Sequence, residues 1–127
     1  MLTNEELLQK ALKVAENAYA PYSQFFVGAC ILLEDGTVFY GCNVENASYG
    51  LSLCAERNAL SGYKAQGLTS PIKKIAIASK NTKKCYPCGA CRQWIKELAP
   101  ESVIVVEGDD APLEFSIEEL LPKSFGL

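Results

Sequence analysis

The chain has 127 residues, 49% apolar and 21% charged, a composition that fits one folded domain over 1–127 and excludes disordered, collagen-like and low-complexity classes. Twelve Lys and Arg against fifteen Asp and Glu give a net charge of −3, which argues against a polynucleotide partner. Its apolar runs are too short to cross a bilayer, and the acidic start Thr3-Asn4-Glu5-Glu6 does not read as a secretory signal; no membrane partner and a cytoplasmic location are expected.

Taken in chain order, Thr3-Asn4-Glu5-Glu6 has the form of a capping box. It opens a helix whose apolar stripe is Leu8, Ala11, Leu12, Ala15, Ala18 and Tyr19, with Pro21 as its expected end. Val27 to Leu33 reads as a strand, Glu34-Asp35-Gly36-Thr37 as a turn, and Val38 to Cys42 as the hairpin partner. A polar stretch over 43–52 leads to a helical pattern from Leu53 to Gln66, stopped by Gly67. Lys74 to Ser79 is a strand of the fully buried type. Cys88 to Leu98 is a second helix ended near Pro100, and Val103 to Glu107 another apolar strand. Leu113 to Phe115 is a last strand, and Ser116-Ile117-Glu118-Glu119 opens a final short helix with a second capping box. The order α-β-β-α-β-α-β-β-α predicts an α/β protein, a three-layer α/β/α sandwich around a mixed five-stranded sheet.

Six cysteines and no histidine exclude imidazole chemistry and require any soft-metal site to be built from thiolates. Pro87-Cys88-Gly89-Ala90-Cys91 places two thiols on one turn at a helix start. There the partial positive charge of the helix N-terminus favours thiolates. A lone Cys-x-x-Cys is ambiguous between a redox dithiol, half of a structural zinc site and coincidence. The second signal is Cys54-Ala55-Glu56 at another helix start, which alone reads as a small buried cysteine beside a first-turn acid. Together, Cys54, Cys88 and Cys91 make three protein ligands with a fourth position open, the pattern of a catalytic zinc. Glu56 is too close in sequence to Cys54 to be the fourth ligand and is placed to carry protons.

Three thiolates around Zn²⁺ sum to −1. Arg57 and Arg92, each one residue past a ligand, are candidates to offset that charge. Cys85 keeps a rival open, since Cys54, Cys85, Cys88 and Cys91 would close a structural zinc site without catalysis. Cys30 and Cys42 fall in strands and read as small core residues.

The spacing has the form used by zinc nucleobase deaminases, with Cys in the first ligand position. Across nearly the whole chain the sequence resembles the small homotetrameric cytidine deaminases of pyrimidine salvage. The resemblance rests on Ala20-Pro21-Tyr22-Ser23 with Phe25 and Val27-Gly28, on Gly41 to Ala47, on Cys54 to Arg57 and on Pro87 to Gln93. It implies the cytidine deaminase fold, one zinc per chain on Cys54, Cys88 and Cys91, and proton transfer by Glu56. It also implies that Asn43 and Glu45 hold the ribose 3′-hydroxyl and that the Ala55 N–H meets the base carbonyl. Phe25 would pack on the pyrimidine, and Phe125 would reach a neighbouring subunit's site in a homotetramer with composite active sites. Residues alone read Asn43-Val44-Glu45 as a polar loop and Phe125 as an anchor to its own core. The rival activities are a blasticidin S-type deaminase, a non-catalytic zinc module and a polynucleotide-editing deaminase.

Overall fold

The computed structural model describes residues 1–127. Its elements are α1 (Asn4–Val14), β1 (Val27–Leu33), β2 (Val38–Cys42), α2 (Ala55–Ala65), β3 (Ile72–Ser79), α3 (Gly89–Leu98), β4 (Val103–Val106), β5 (Leu113–Ser116) and α4 (Ile117–Leu120). Both capping boxes form: Thr3 and Glu6 exchange side-chain bonds with each other's backbone N–H at α1, and Ser116 and Glu119 do the same at α4.

The sheet order is β2-β1-β3-β4-β5, with β3 and β4 parallel and every other pair antiparallel. Side-chain alternation divides the strands between two cores. Ala29, Ile31, Ile75, Ile77, Ile104 and Val106 pack with Ala59, Leu60, Ile95 and Ile117 from α2, α3 and α4. Cys30, Leu32, Ala76, Ala78 and Val105 pack on the other face with Leu7, Leu8 and Ala11 of α1. The expected three layers and mixed five-stranded sheet are therefore present. Two glycines allow the layers to approach. A Cβ on Gly28 would collide with the Ala11 carbonyl oxygen, and one on Gly41 would collide with that of Ala55.

Three details differ from the sequence reading. The α-helix ends at Val14 rather than near Pro21, because Ala15–Asn17 tightens into a 3-10 turn and Ala18 leaves it extended. Leu7 is fully buried on the helix while Tyr19, assigned to the apolar stripe, is exposed. Tyr19 has left the helix and instead bridges in parallel to Val44. The third strand starts earlier, at Ile72.

Candidate active site

The two cysteine motifs lie at the starts of helices that follow β2 by way of 43–54 and β3 by way of 80–88, and these two helix ends meet. Cys54 is the N-cap residue of α2 and Cys88 the N-cap residue of α3, both with extended backbone, while Cys91 lies one turn into α3 and is buried. Asn58 in α2 donates to the Cys42 carbonyl at 2.7 Å, tying that helix to the end of β2, and Gly41 leaves room for the close packing. The sulfurs of Cys54, Cys88 and Cys91 all lie within 4.8 Å of one another, with Cys54 Sγ 3.7 Å from Cys88 Sγ. That separation is far too long for a disulfide. It matches the edge of a tetrahedron with Zn–S bonds near 2.3 Å, about 3.8 Å. The donor set and its spacing fit zinc.

Charge in the trio is unevenly held. The hydrogen bond from Cys91, helped by Arg57 and Cys88, pulls the Cys54 thiol down to about 5, and the same bond pushes the Cys91 thiol up. Arg57 donates from Nη2 to Cys54 Sγ at 3.4 Å, so it supplies the expected compensating charge, and its buried Nε–H has no protein partner. Arg92 does not share that task. Its Nε donates to the Pro87 carbonyl and its Nη1 to the Leu120 carbonyl, each at 2.7 Å, so it fastens the α3 entrance to the end of α4. Cys85 is outside the trio. It packs against the core under α2 and α3, where burial pushes its thiol up to about 11. A closed four-thiolate site is therefore not formed.

Glu56 sits in the first turn of α2, two residues beyond Cys54, and is only 4% exposed. Burial in this pocket, reinforced by the nearby Cys54 charge, raises its carboxyl to about 7. A carboxyl in that range accepts and returns a proton at neutral pH with little bias either way. Ala55, buried just before it, is the first residue of α2, where backbone N–H groups have no partner within the helix.

The remaining predicted residues, the rim, are tied to segments that lead into this pole. An antiparallel bridge between Val44 and Leu53 sets the 43–45 segment alongside the approach to Cys54. The Asn43 side chain accepts from Val27 N–H and donates to the Phe25 carbonyl, both at 2.8 Å. The Glu45 carboxylate accepts from the Tyr22 N–H at 3.0 Å, the Ser23 N–H at 3.2 Å and the Ser23 hydroxyl. Those bonds, the Ser23 hydroxyl above all, hold its carboxyl below the ordinary range. Phe25 is 38% exposed and its N–H is held by Ser23 Oγ at 3.0 Å. Phe125 is 70% exposed, so it does not cap its own core; its carbonyl accepts from Gln93 Nε2 at 3.1 Å. A cleft of about 700 Å³ opens between α1 and 79–83, and none of the predicted site residues lines it. Sequence reasoning missed Asn58 and Gln93 as anchors. Gln93 stands directly after Cys91-Arg92, and that position was the available signal.

The family model for the cytidine and deoxycytidylate deaminase zinc-binding region matches residues 1–107. The chain belongs to this deaminase family. It is similar to the cytidine deaminase of Halalkalibacterium halodurans, 41% identical over 98% of this chain and 95% of that one. It is likewise 41% identical to a probable cytidine deaminase of Dictyostelium discoideum, over 96% of this chain and 86% of that one. Among solved structures it matches the cytidine deaminase of Burkholderia pseudomallei with a TM-score of 0.88 and 45% identity, covering 98% of this chain and 100% of that chain. The cytidine deaminase of Mycobacterium tuberculosis matches with a TM-score of 0.86 and 38% identity, both chains covered completely. The matched region is a zinc-binding one and the trio is its zinc site in this chain; no helix of the chain is long and apolar enough to cross a membrane.

Proposed function

We propose that the chain, acting as one domain, catalyses the hydrolytic deamination of cytidine and deoxycytidine to uridine and deoxyuridine, releasing ammonia in nucleoside salvage. The observation that carries this reading is a nearly buried Glu56 two residues past one member of a three-sulfur cluster of zinc-binding size. Zinc held by Cys54, Cys88 and Cys91 supplies Lewis acidity that lowers the pKa of water. Glu56 takes a proton from the attacking water and passes it to ring N3 as the oxygen adds to C4. It then takes the remaining hydroxyl proton and gives it to the exocyclic amine. The C4–N bond breaks, ammonia leaves, and C4 keeps the oxygen as a carbonyl. One carboxyl serves as base and then acid because each transfer restores it. Arg57 balances the excess negative charge of the thiolates.

The rim residues recognise the nucleoside. An amide offers two donors and two acceptor lone pairs, and Asn43 spends one of each on Phe25 and Val27. Glu45 has three of about four acceptor positions filled. Asn43 keeps one donor and one acceptor position, and Glu45 one acceptor position, for the ribose 3′-hydroxyl, and the Ala55 N–H is free for the base carbonyl. Phe25 packs on the pyrimidine, and the exposed Phe125 completes the site of a neighbouring subunit in a homotetramer, the cytoplasmic form of the enzyme. Ammonia release from cytidine, deoxycytidine, 3′-deoxycytidine, cytosine and deoxycytidylate tests this. Cytidine and deoxycytidine should be turned over well and 3′-deoxycytidine far more slowly, because the rim groups then lose their partner. Equal turnover of cytidine and its 3′-deoxy analogue removes the sugar assignment; no turnover of either nucleoside removes the reaction.

A further inference from the structure

The segment from Gln24 to Val27 enters β1 and presents Phe25, yet only its last residue, Val27, lies in the regular sheet. It is nevertheless bonded like an inner strand. On one side the Asn43 amide takes the Val27 N–H and gives to the Phe25 carbonyl. On the other, the Asn81 amide accepts from the Phe26 N–H at 2.9 Å and donates to the Gln24 carbonyl at 3.1 Å. Residues 25 and 27 thus face one amide, and residues 24 and 26 face the other. This is the alternation of a strand with a neighbour on each edge. The Lys80 N–H also donates to the Phe26 carbonyl and the Asn43 N–H to the Val27 carbonyl, each at 3.3 Å, so the two amides extend the neighbouring backbone pairing past the start of β1.

Further bonds make Asn81 a rigid peg. Its own N–H donates to Ser79 Oγ at 3.1 Å, and that hydroxyl donates to the Phe26 carbonyl at 2.8 Å. The Gln24 backbone is left-handed, with φ of +60°, a conformation that a residue with a Cβ adopts at a cost and keeps only when its surroundings hold it. The bond from Asn81 to the Gln24 carbonyl is part of that hold. Asn81 is itself exposed and lies outside every block of the family resemblance, so neither core packing nor zinc binding explains it.

We propose that Asn81 is a positioning residue for substrate binding. With Asn43 it clamps the Gln24–Val27 backbone so that the Phe25 ring stands ready against the pyrimidine. This rests on the proposed reading of Phe25 as the base-packing ring. Loss of the clamp leaves the zinc pole intact and loosens only the ring's placement.

The test is steady-state cytidine kinetics on the zinc-loaded Asn81→Ala, Asn81→Asp, Phe25→Ala and Phe25→Ala/Asn81→Ala proteins. Asn81→Ala should raise KM about tenfold with kcat within about threefold, the size of two neutral hydrogen bonds. Asn81→Asp keeps the acceptor for Phe26 and should fall between. Zinc content should remain that of the parent. The double variant should match Phe25→Ala within about twofold, because Asn81 acts through that ring. An unchanged KM, a double variant showing both losses in full, or a joint fall of kcat and zinc content overturns the proposal. A parent protein that binds cytidine in calorimetry without turnover refutes the reaction alone, and the same four variants are then read as Kd. A parent that neither binds nor converts cytidine overturns both.

Discussion

The pole and the rim of the candidate site are built in opposite ways. At the pole, Cys91 and Glu56 are buried, Cys54 is paired with Arg57, and every group comes from the N-cap or first turn of α2 or α3. At the rim, Phe25 and Phe125 are exposed, and Asn43 and Glu45 hold loop backbone as much as they face outward. Chemistry that must shift a carboxyl into the neutral range requires burial, and helix starts packed on a sheet provide it within one chain. The nucleoside recognition proposed for the rim requires an accessible surface, and the composite-site proposal has a neighbouring chain complete it. The contrast predicts that damage at the pole is catalytic and absolute, whereas damage at the rim is graded and repairable by a neighbour.

The largest effect tests the pole. Glu56→Ala should lower kcat by about a thousandfold or more, as for loss of a general acid–base, with zinc content unchanged by metal analysis. Activity within tenfold of the parent would reduce Glu56 to a helix-end charge. A smaller effect tests the rim. Phe125→Ala should raise KM about tenfold with folding and zinc unaffected, the scale expected when one aromatic ring no longer packs on its partner. Mixing it with Glu56→Ala subunits should restore activity above the sum of the two parents, since some assembled sites then carry neither defect. Subunit exchange without such recovery would place Phe125 in its own chain's site. The smallest effect marks the boundary of the pole. Cys85→Ser should keep zinc, with three sulfurs and one lighter neighbour by X-ray absorption, and kcat within about twofold. Loss of metal would enlarge the cluster to four thiolates.

The same division governs how much was legible in the sequence. Apolar runs such as Val103–Val106, the turn at Gly36 and the two capping boxes locate the elements, because those signals are local in the chain. The trio is legible because a Cys-x-x-Cys turn and a Cys-x-Glu turn each carry their own geometry. Other features depend on partners far apart in sequence. Tyr19 is drawn out of its helical stripe by a bridge to Val44. Arg92 is claimed by a carbonyl 28 residues away, and the peg at Asn81 grips backbone some 55 residues earlier. No spacing rule encodes such pairs, and the resemblance brought forward Asn43 and Glu45 but not Asn81.

Both helices that form the pole begin on a cysteine rather than on a serine, threonine or aspartate, and neither cysteine makes a side-chain capping bond. A conventional oxygen cap is worth about 1 kcal/mol to a helix, and two are forgone here. Zinc held by Cys54, Cys88 and Cys91 would instead cross-link those same two helix ends, a tie between α2 and α3 as well as a Lewis acid. A ligand that binds the folded chain alone stabilises it, so zinc occupancy and the unfolding temperature should rise together.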